Sequence, residues 1–195
     1  MSDEIIVQEV LAGNTQAFEQ LLEKYQRKIF TIAYRFLGNY EDANDIAQET
    51  FLKAYKALPN FRGEASLLTW LGKIATNLCR DELRKRSRRC KTVSLEDDLW
   101  LEDGSVKRQI ADEKPNPEEE FEKKEVRLHL QHQLNLLKED YRMIVVMRDI
   151  NGLSYEEIST ELGLNIGTVK SRLNRARRAL GQKFCQNEEI RGIAL

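Results

Sequence analysis

Between residues 153 and 180 the apolar side chains fall at helical spacing in two short runs broken by Gly163, a pattern that allows little besides two helices joined by a tight turn. Ser154 stands where a cap is needed, with Glu157 three residues on to complete a capping box, and Ile158 and Leu162 form the apolar side of the first helix. Gly163 supplies its stop. Asn165 is placed to cap a second helix, along which Ile166, Val169, Leu173, Ala176 and Leu180 recur at alternating steps of three and four. The other face carries Lys170, Ser171, Asn174, Arg175 and Arg178. Over residues 165–183 there are six basic residues (Lys170, Arg172, Arg175, Arg177, Arg178 and Lys183) and no acidic one. A helix of one sign behind a tight turn fits a helix-turn-helix entering a DNA major groove better than it fits a solvated helix closing a bundle.

Composition permits this reading without selecting it. A chain of 195 residues makes one ordinary domain or two small ones, and its net charge of −1 argues against a free-standing, non-specific DNA coat protein. The charges are nevertheless segregated. Over residues 62–91 nine basic residues (Arg62, Lys73, Arg80, Arg84, Lys85, Arg86, Arg88, Arg89 and Lys91) face three acidic ones (Glu64, Asp81 and Glu82). Over residues 96–125 twelve acidic residues face five basic ones, a net of −7. Two basic patches therefore flank an acidic segment.

The acidic opening MSDEIIVQEV and the absence of any apolar run of bilayer-spanning length lead us to expect a cytoplasmic protein without membrane insertion. Cys79, Cys90 and Cys185 lack the paired spacing of a zinc site and read as ordinary reduced thiols. Basic neighbours would lower the pKa of Cys79 or Cys90, which makes a redox-sensing thiol the sharper alternative. His129 and His132, three apart, have no carboxylate or cysteine pattern beside them and read as solvated. With no phosphate-cradling glycine loop, metal-ligand cluster or nucleophile motif, neither a cofactor nor a catalytic site is expected.

The first ninety residues read as helical throughout. A short helix over about residues 3–12 stops at Gly13 and Asn14. Phe18, Leu21, Leu22, Tyr25, Ile29, Ile32, Ala33 and Phe36 then mark one face of a long helix ended by Gly38 and Asn39. The next repeats the pattern with Ala43, Ile46, Ala47, Thr50, Phe51, Ala54, Tyr55 and Leu58, and Pro59 follows. Its remaining face is Asp42, Asp45, Gln48, Glu49, Leu52, Lys53 and Lys56, where an apolar Leu52 among charges hints at a protein partner.

A further helix is predicted over residues 66–89, with Leu68, Leu71, Ile74, Ala75 and Leu78 turned inward. On another face Trp70, Lys73, Asn77, Arg80, Arg84 and Arg88 follow at steps of three or four. One aromatic, one amide and four cations in a row suit a single nucleic-acid strand, stacking for a base and charge for the backbone. A core role for Trp70 is the plainer reading. Residues 94–122, acidic and poor in apolar side chains, read as a partly disordered linker whose charge would either keep the basic patches off non-specific DNA or let it occupy a channel built for nucleic acid. A helix over about residues 117–137 leads to Tyr141, Ile144, Val145 and Met147, which can pack under the helix-turn-helix.

Taken together, the stretches AFEQLLEKYQRKIF, DANDIAQETFLKAY, FRGEASLLTWLGKIATNLCRDELRK and YRMIVVMRDINGLSYEEISTELGLNIGTVKSRLNRARRAL resemble the bacterial sigma factors, within them the small extracytoplasmic-function group. The resemblance implies that the DIAQETF helix docks on core RNA polymerase through Asp42, Asp45, Gln48, Glu49, Leu52 and Lys53. It implies that the TWLGKIATN helix melts and reads the minus-ten promoter element, with Trp70, Lys73, Asn77, Arg80 and Arg84 on the separated strand. It assigns the minus-thirty-five element to the GTVKSRLNRARR helix through Lys170, Ser171, Asn174, Arg175 and Arg178. An anti-sigma factor is the further partner it implies. Leu67 stands where the family commonly has an aromatic residue, and Lys138 where relatives often have proline.

The fold expected is all-α. A first domain spans residues 1–91, an acidic linker 92–122, a second domain with the helix-turn-helix 123–185, and a tail 186–195. The function expected is that of a sigma factor, monomeric when free, that gives core polymerase its choice of promoter DNA. The alternative of another class is a dimeric helix-turn-helix operator-binding regulator, which has no need of a second, strand-holding helix.

Overall fold

The computed structural model describes residues 2–63, 65–93 and 117–185, and among these it is helical with no strand. The elements are α1 (Asp3–Leu11), α2 (Thr15–Leu37), α3 (Tyr40–Ala57), a 3-10 turn (Leu58–Asn60) and α4 (Leu67–Val93). After them come α5 (Pro117–Asn135), α6 (Glu139–Val145), α7 (Tyr155–Leu162) and α8 (Ile166–Cys185). A wider π turn, Val146–Ile150, continues α6. Because α4 runs to Val93 and α5 starts at Pro117, both helices reach into the expected linker, whose residues 94–116 lie outside the described ones. So does the expected tail from 186 on.

Local chemistry sets most of these boundaries. Asn14 accepts from the Gln16 N–H and Asn39 from the Asp42 N–H, each at 3.1 Å, so each satisfies one orphan donor at a helix start. Ser66 does the same for Thr69, also at 3.1 Å. Gly38 ends α2 with φ 72°, a left-handed conformation that a side chain would resist, and a Cβ there would lie 2.6 Å from Oδ1 of Asn135 at the end of α5.

In the first domain α2 packs on α1, α3 and α4. Leu21, Ile29 and Phe36 of α2, Ala43, Ala47 and Ala54 of α3 and Leu67, Leu71 and Ala75 of α4 are all buried in the core that these helices share. Small residues on α3 let the larger ones on α2 approach closely. Leu67, rather than Leu68, takes the inward position, and Tyr55 stays exposed, its ring edge-on to Phe18 at 4.9 Å. In the second domain α6, α7 and α8 enclose Ile144, Val146, Met147, Leu153, Ile158, Val169, Leu173 and Ala176. Ile144, Val145 and Met147 are buried as expected, with Tyr141 half-buried.

The two helical groups lie against one another. Arg35 of α2 is 8% exposed and donates to the Arg127 carbonyl and to Gln131 Oε1 of α5, each at 3.1 Å. Burial pulls this guanidinium below its ordinary pKa. The two hydrogen bonds it donates offset part of its desolvation. Among the described residues no helix is long and apolar enough to cross a membrane.

Candidate nucleic-acid and partner interfaces

The second domain builds its turn as the residues require. Ser154 Oγ accepts from the Glu157 N–H at 3.0 Å while the Ser154 N–H donates to Glu157 Oε2 at 2.8 Å, a complete capping box. Gly163 closes α7 with φ 64°. Asn165 Oδ1 then accepts from the Thr168 N–H at 2.7 Å, starting α8. The solvent side of α8 presents Lys170, Ser171, Asn174, Arg175 and Arg178, all exposed.

Two of the six basic residues on this stretch do not join that side. Arg172 pairs with Asp140 at 3.1 Å, and Arg177 forks onto Asp149, with its Nε 3.1 Å from Oδ2. These pairs clasp α8 to α6 and the π turn. Spacing alone does not separate a scaffold arginine from a surface one, and the acidic partners are 32 and 28 residues away. Tyr155, outside the expected DNA-contacting set, also bears on this face. Its ring has the Arg148 guanidinium 4.7 Å and the Lys170 ammonium 5.5 Å from its centroid, so an aromatic at the start of α7 steadies Lys170. The one available signal was an aromatic directly after the cap.

On α4 the expected stripe is contiguous, yet much of it is covered. Trp70 is half-buried with its ring centroid 5.1 Å from that of Phe61. Lys73 Nζ lies 2.7 Å from Glu157 Oε1, and Arg80 pairs with Glu161 at 3.5 Å. Asn77 Oδ1 and Arg80 Nε are buried without a hydrogen-bond partner among the described residues, a state that costs about 1–3 kcal/mol for each such atom. Arg84 is exposed.

On α3, Asp45, Gln48, Glu49, Leu52 and Lys53 are exposed, and Leu52 at 65% is among the most exposed large apolar residues. Lys53 pairs with Glu49 at 3.2 Å. Asp42 differs from the others, being half-buried and paired with Arg86 of α4.

The possible redox role of Cys79 is corrected. The thiol is fully buried, and burial drives its pKa well above the ordinary value, so basic neighbours in the sequence do not activate it. The side chain of Cys90 lies outside the described residues. Among the described residues no group of three or more His, Cys, Asp or Glu side chains could hold a metal ion.

A capped helix-turn-helix and a second helical domain with its own basic face define a two-domain DNA-binding protein. Residues 21–89 match the Sigma-70 region 2 family and residues 127–180 the Sigma-70 region 4 family. The chain is 38% identical over 180 residues to the RNA polymerase sigma-H factor of Pseudomonas aeruginosa, covering 91% of each. It is 35% identical over 185 residues to the ECF RNA polymerase sigma-E factor of Escherichia coli K12, covering 94% of each. Among solved structures it is similar to the sigma factor RpoE of Bartonella quintana, determined in complex with the anti-sigma factor NepR, with a TM-score of 0.61, 27% identity and coverage of 88% of this chain and 98% of that one. The chain belongs to the RNA polymerase sigma factors, in the extracytoplasmic-function group, and directs transcription initiation. The operator-binding alternative is not favoured, because both halves match sigma-factor domains.

Proposed function

We propose that the chain divides promoter selection between its domains. The observation that carries this division is that two helices from separate helical groups, α4 and α8, each carry a row of basic side chains along one side, exposed on α8 and partly covered by α7 on α4. In the first domain, residues 1–91, Asp42, Asp45, Gln48, Glu49, Leu52 and Lys53 dock on core polymerase. Trp70, Lys73, Asn77, Arg80 and Arg84 hold the separated minus-ten strand, with stacking for a base and cations for its phosphates. In the second domain, residues 123–185, Lys170, Ser171, Asn174 and Arg175 read base edges of the minus-thirty-five element and Arg178 meets backbone. The chain selects the start site and performs no chemistry of its own. It acts in the cytoplasm as a monomer when free, and an anti-sigma factor restrains it, as the complex of the Bartonella relative with NepR supports.

Titration with purified core polymerase tests the reading. The chain alone binds promoter DNA weakly and the complex binds it tightly. Asp45→Arg with Gln48→Arg abolishes polymerase binding while leaving helical content intact. Tight, sequence-specific duplex binding by the isolated chain overturns it.

A further inference from the structure

The cations assigned above to an unwound strand already have acidic partners inside the free chain. Glu157 and Glu161 stand one turn apart on α7, so both carboxylates leave the same side of the helix, and they meet Lys73 and Arg80 of α4. Arg80 Nη1 also donates to the backbone carbonyl of Glu161. Over its whole length, YEEISTEL, α7 carries three carboxylates and no cation. We infer that α7 stands in for a nucleic-acid backbone, so that its acidic side and the minus-ten strand compete for the same face of α4. The inference rests on the assignment of that face to the strand.

The fit around these pairs is close. Asn151, at the end of the π turn, is buried against Gly72 and points its amide nitrogen toward Thr76 Oγ1 at 3.5 Å, filling the space that a side chain at Gly72 would occupy. The polar groups under the contact are nevertheless incompletely matched. Asn77 Oδ1, Arg80 Nε and Asn151 Oδ1 are buried without a partner among the described residues. A permanent domain interface would satisfy such atoms. A base edge and a phosphate would supply what α7 does not: a donor for Asn77 Oδ1 and an acceptor for Arg80 Nε. The ion pairs also keep between 20% and 35% of their side-chain surface, so solvent and salt weaken them. The contact is therefore exchangeable, and it reduces the apparent affinity for the strand by the fraction of chains in which α7 has moved away.

The test uses the full chain alone with a short fluorescein-labelled single-stranded oligonucleotide of mixed sequence, read by anisotropy. Glu157→Gln with Glu161→Gln removes both carboxylates and keeps the capping box, which Gln serves as Glu does. Glu19→Gln with Glu23→Gln, on the exposed side of α2, removes equal charge elsewhere and is the control. The α7 variant binds the oligonucleotide about three- to tenfold more tightly than the control, and the gap narrows as salt rises. Adding Arg84→Ala to the α7 variant weakens binding several-fold. Equal affinities of the two Gln variants, with Arg84→Ala still weakening binding, overturn the α7 contact alone. If Arg84→Ala has no effect, the strand does not lie on α4 and the functional reading falls with the inference.

Discussion

Asn151 is seated against Gly72 so closely that a Cβ on Gly72 would fall 1.9 Å from its Oδ1 atom, a separation that real structures do not tolerate. Gly72→Ala therefore wedges the two helical groups apart while improving the intrinsic helix propensity of α4 by about 1 kcal/mol. Small-angle scattering of the free chain should show a larger radius of gyration, with far-UV circular dichroism undiminished. An unchanged radius would show that Asn151 simply shifts aside.

On α8 the clasped and the free arginines should behave differently. Lys170→Ala or Arg175→Ala costs ~1–3 kcal/mol in promoter binding and relaxes preference at one or two positions. Arg178→Ala weakens all sequences alike and lowers the salt slope by about one unit. Arg177→Ala, which loses a partly exposed pair with Asp149, lowers stability by at most about 1 kcal/mol and leaves base preference unchanged. Binding-site selection on each variant separates the three behaviours. Unaltered preferences for both Lys170→Ala and Arg175→Ala would place the reading face elsewhere.

Strand opening isolates the α4 stripe from the rest. Asn77→Ala and Arg80→Ala in the polymerase complex should leave the closed promoter complex bound and unmelted, as permanganate footprinting reads directly. Stacking on Trp70 contributes about 1–3 kcal/mol where a base replaces part of its contact with Phe61. Normal melting in both variants would remove the strand from this face.

Acid should loosen the contact between α4 and α7. The carboxyl of Glu157 sits below the usual glutamate value because Lys73 donates to it and because the Ser154 backbone N–H does so as well. Arg80 and Glu161 form the neighbouring pair on the same two helices. A depressed folded-state pKa gives stability that is fully present above the ordinary value of about 4.3 and is lost as pH falls through the folded value. Urea midpoints should drop on the acid side in the parent chain and drop less in Glu157→Gln. Parallel curves would show that the pair carries no linkage.

What was legible in the sequence was local. The capping box of Ser154 and Glu157, the stop at Gly163 and the Asn165 cap each depend on residues within three or four positions, and the structure contains all of them. The choice of Leu67 over Leu68 turned on a single-residue phase at a helix start, where periodicity is weakest. Tyr55 fits the apolar period of α3 yet stays at the surface against Phe18. Arg35 was invisible as an interface residue because its partners lie 92 and 96 positions away. The meeting of Arg80 with Glu161 spans 81 positions, and no charge pattern on either helix alone announces it. Cys79 shows the converse failure, since basic neighbours along the chain say nothing about the apolar surroundings that three-dimensional packing supplies.

Asp140 and Asp149 grip Arg172 and Arg177 from two sides of the second domain, and this has a thermodynamic consequence. A helix packed through Val169, Leu173 and Ala176 and held at its flanks by these two pairs meets a groove with its backbone already ordered, so association adds little coupled-folding entropy. Calorimetry of the polymerase complex on minus-thirty-five duplexes should then give a heat-capacity change accounted for by the surface buried in the groove, without the excess that accompanies a segment folding as it binds.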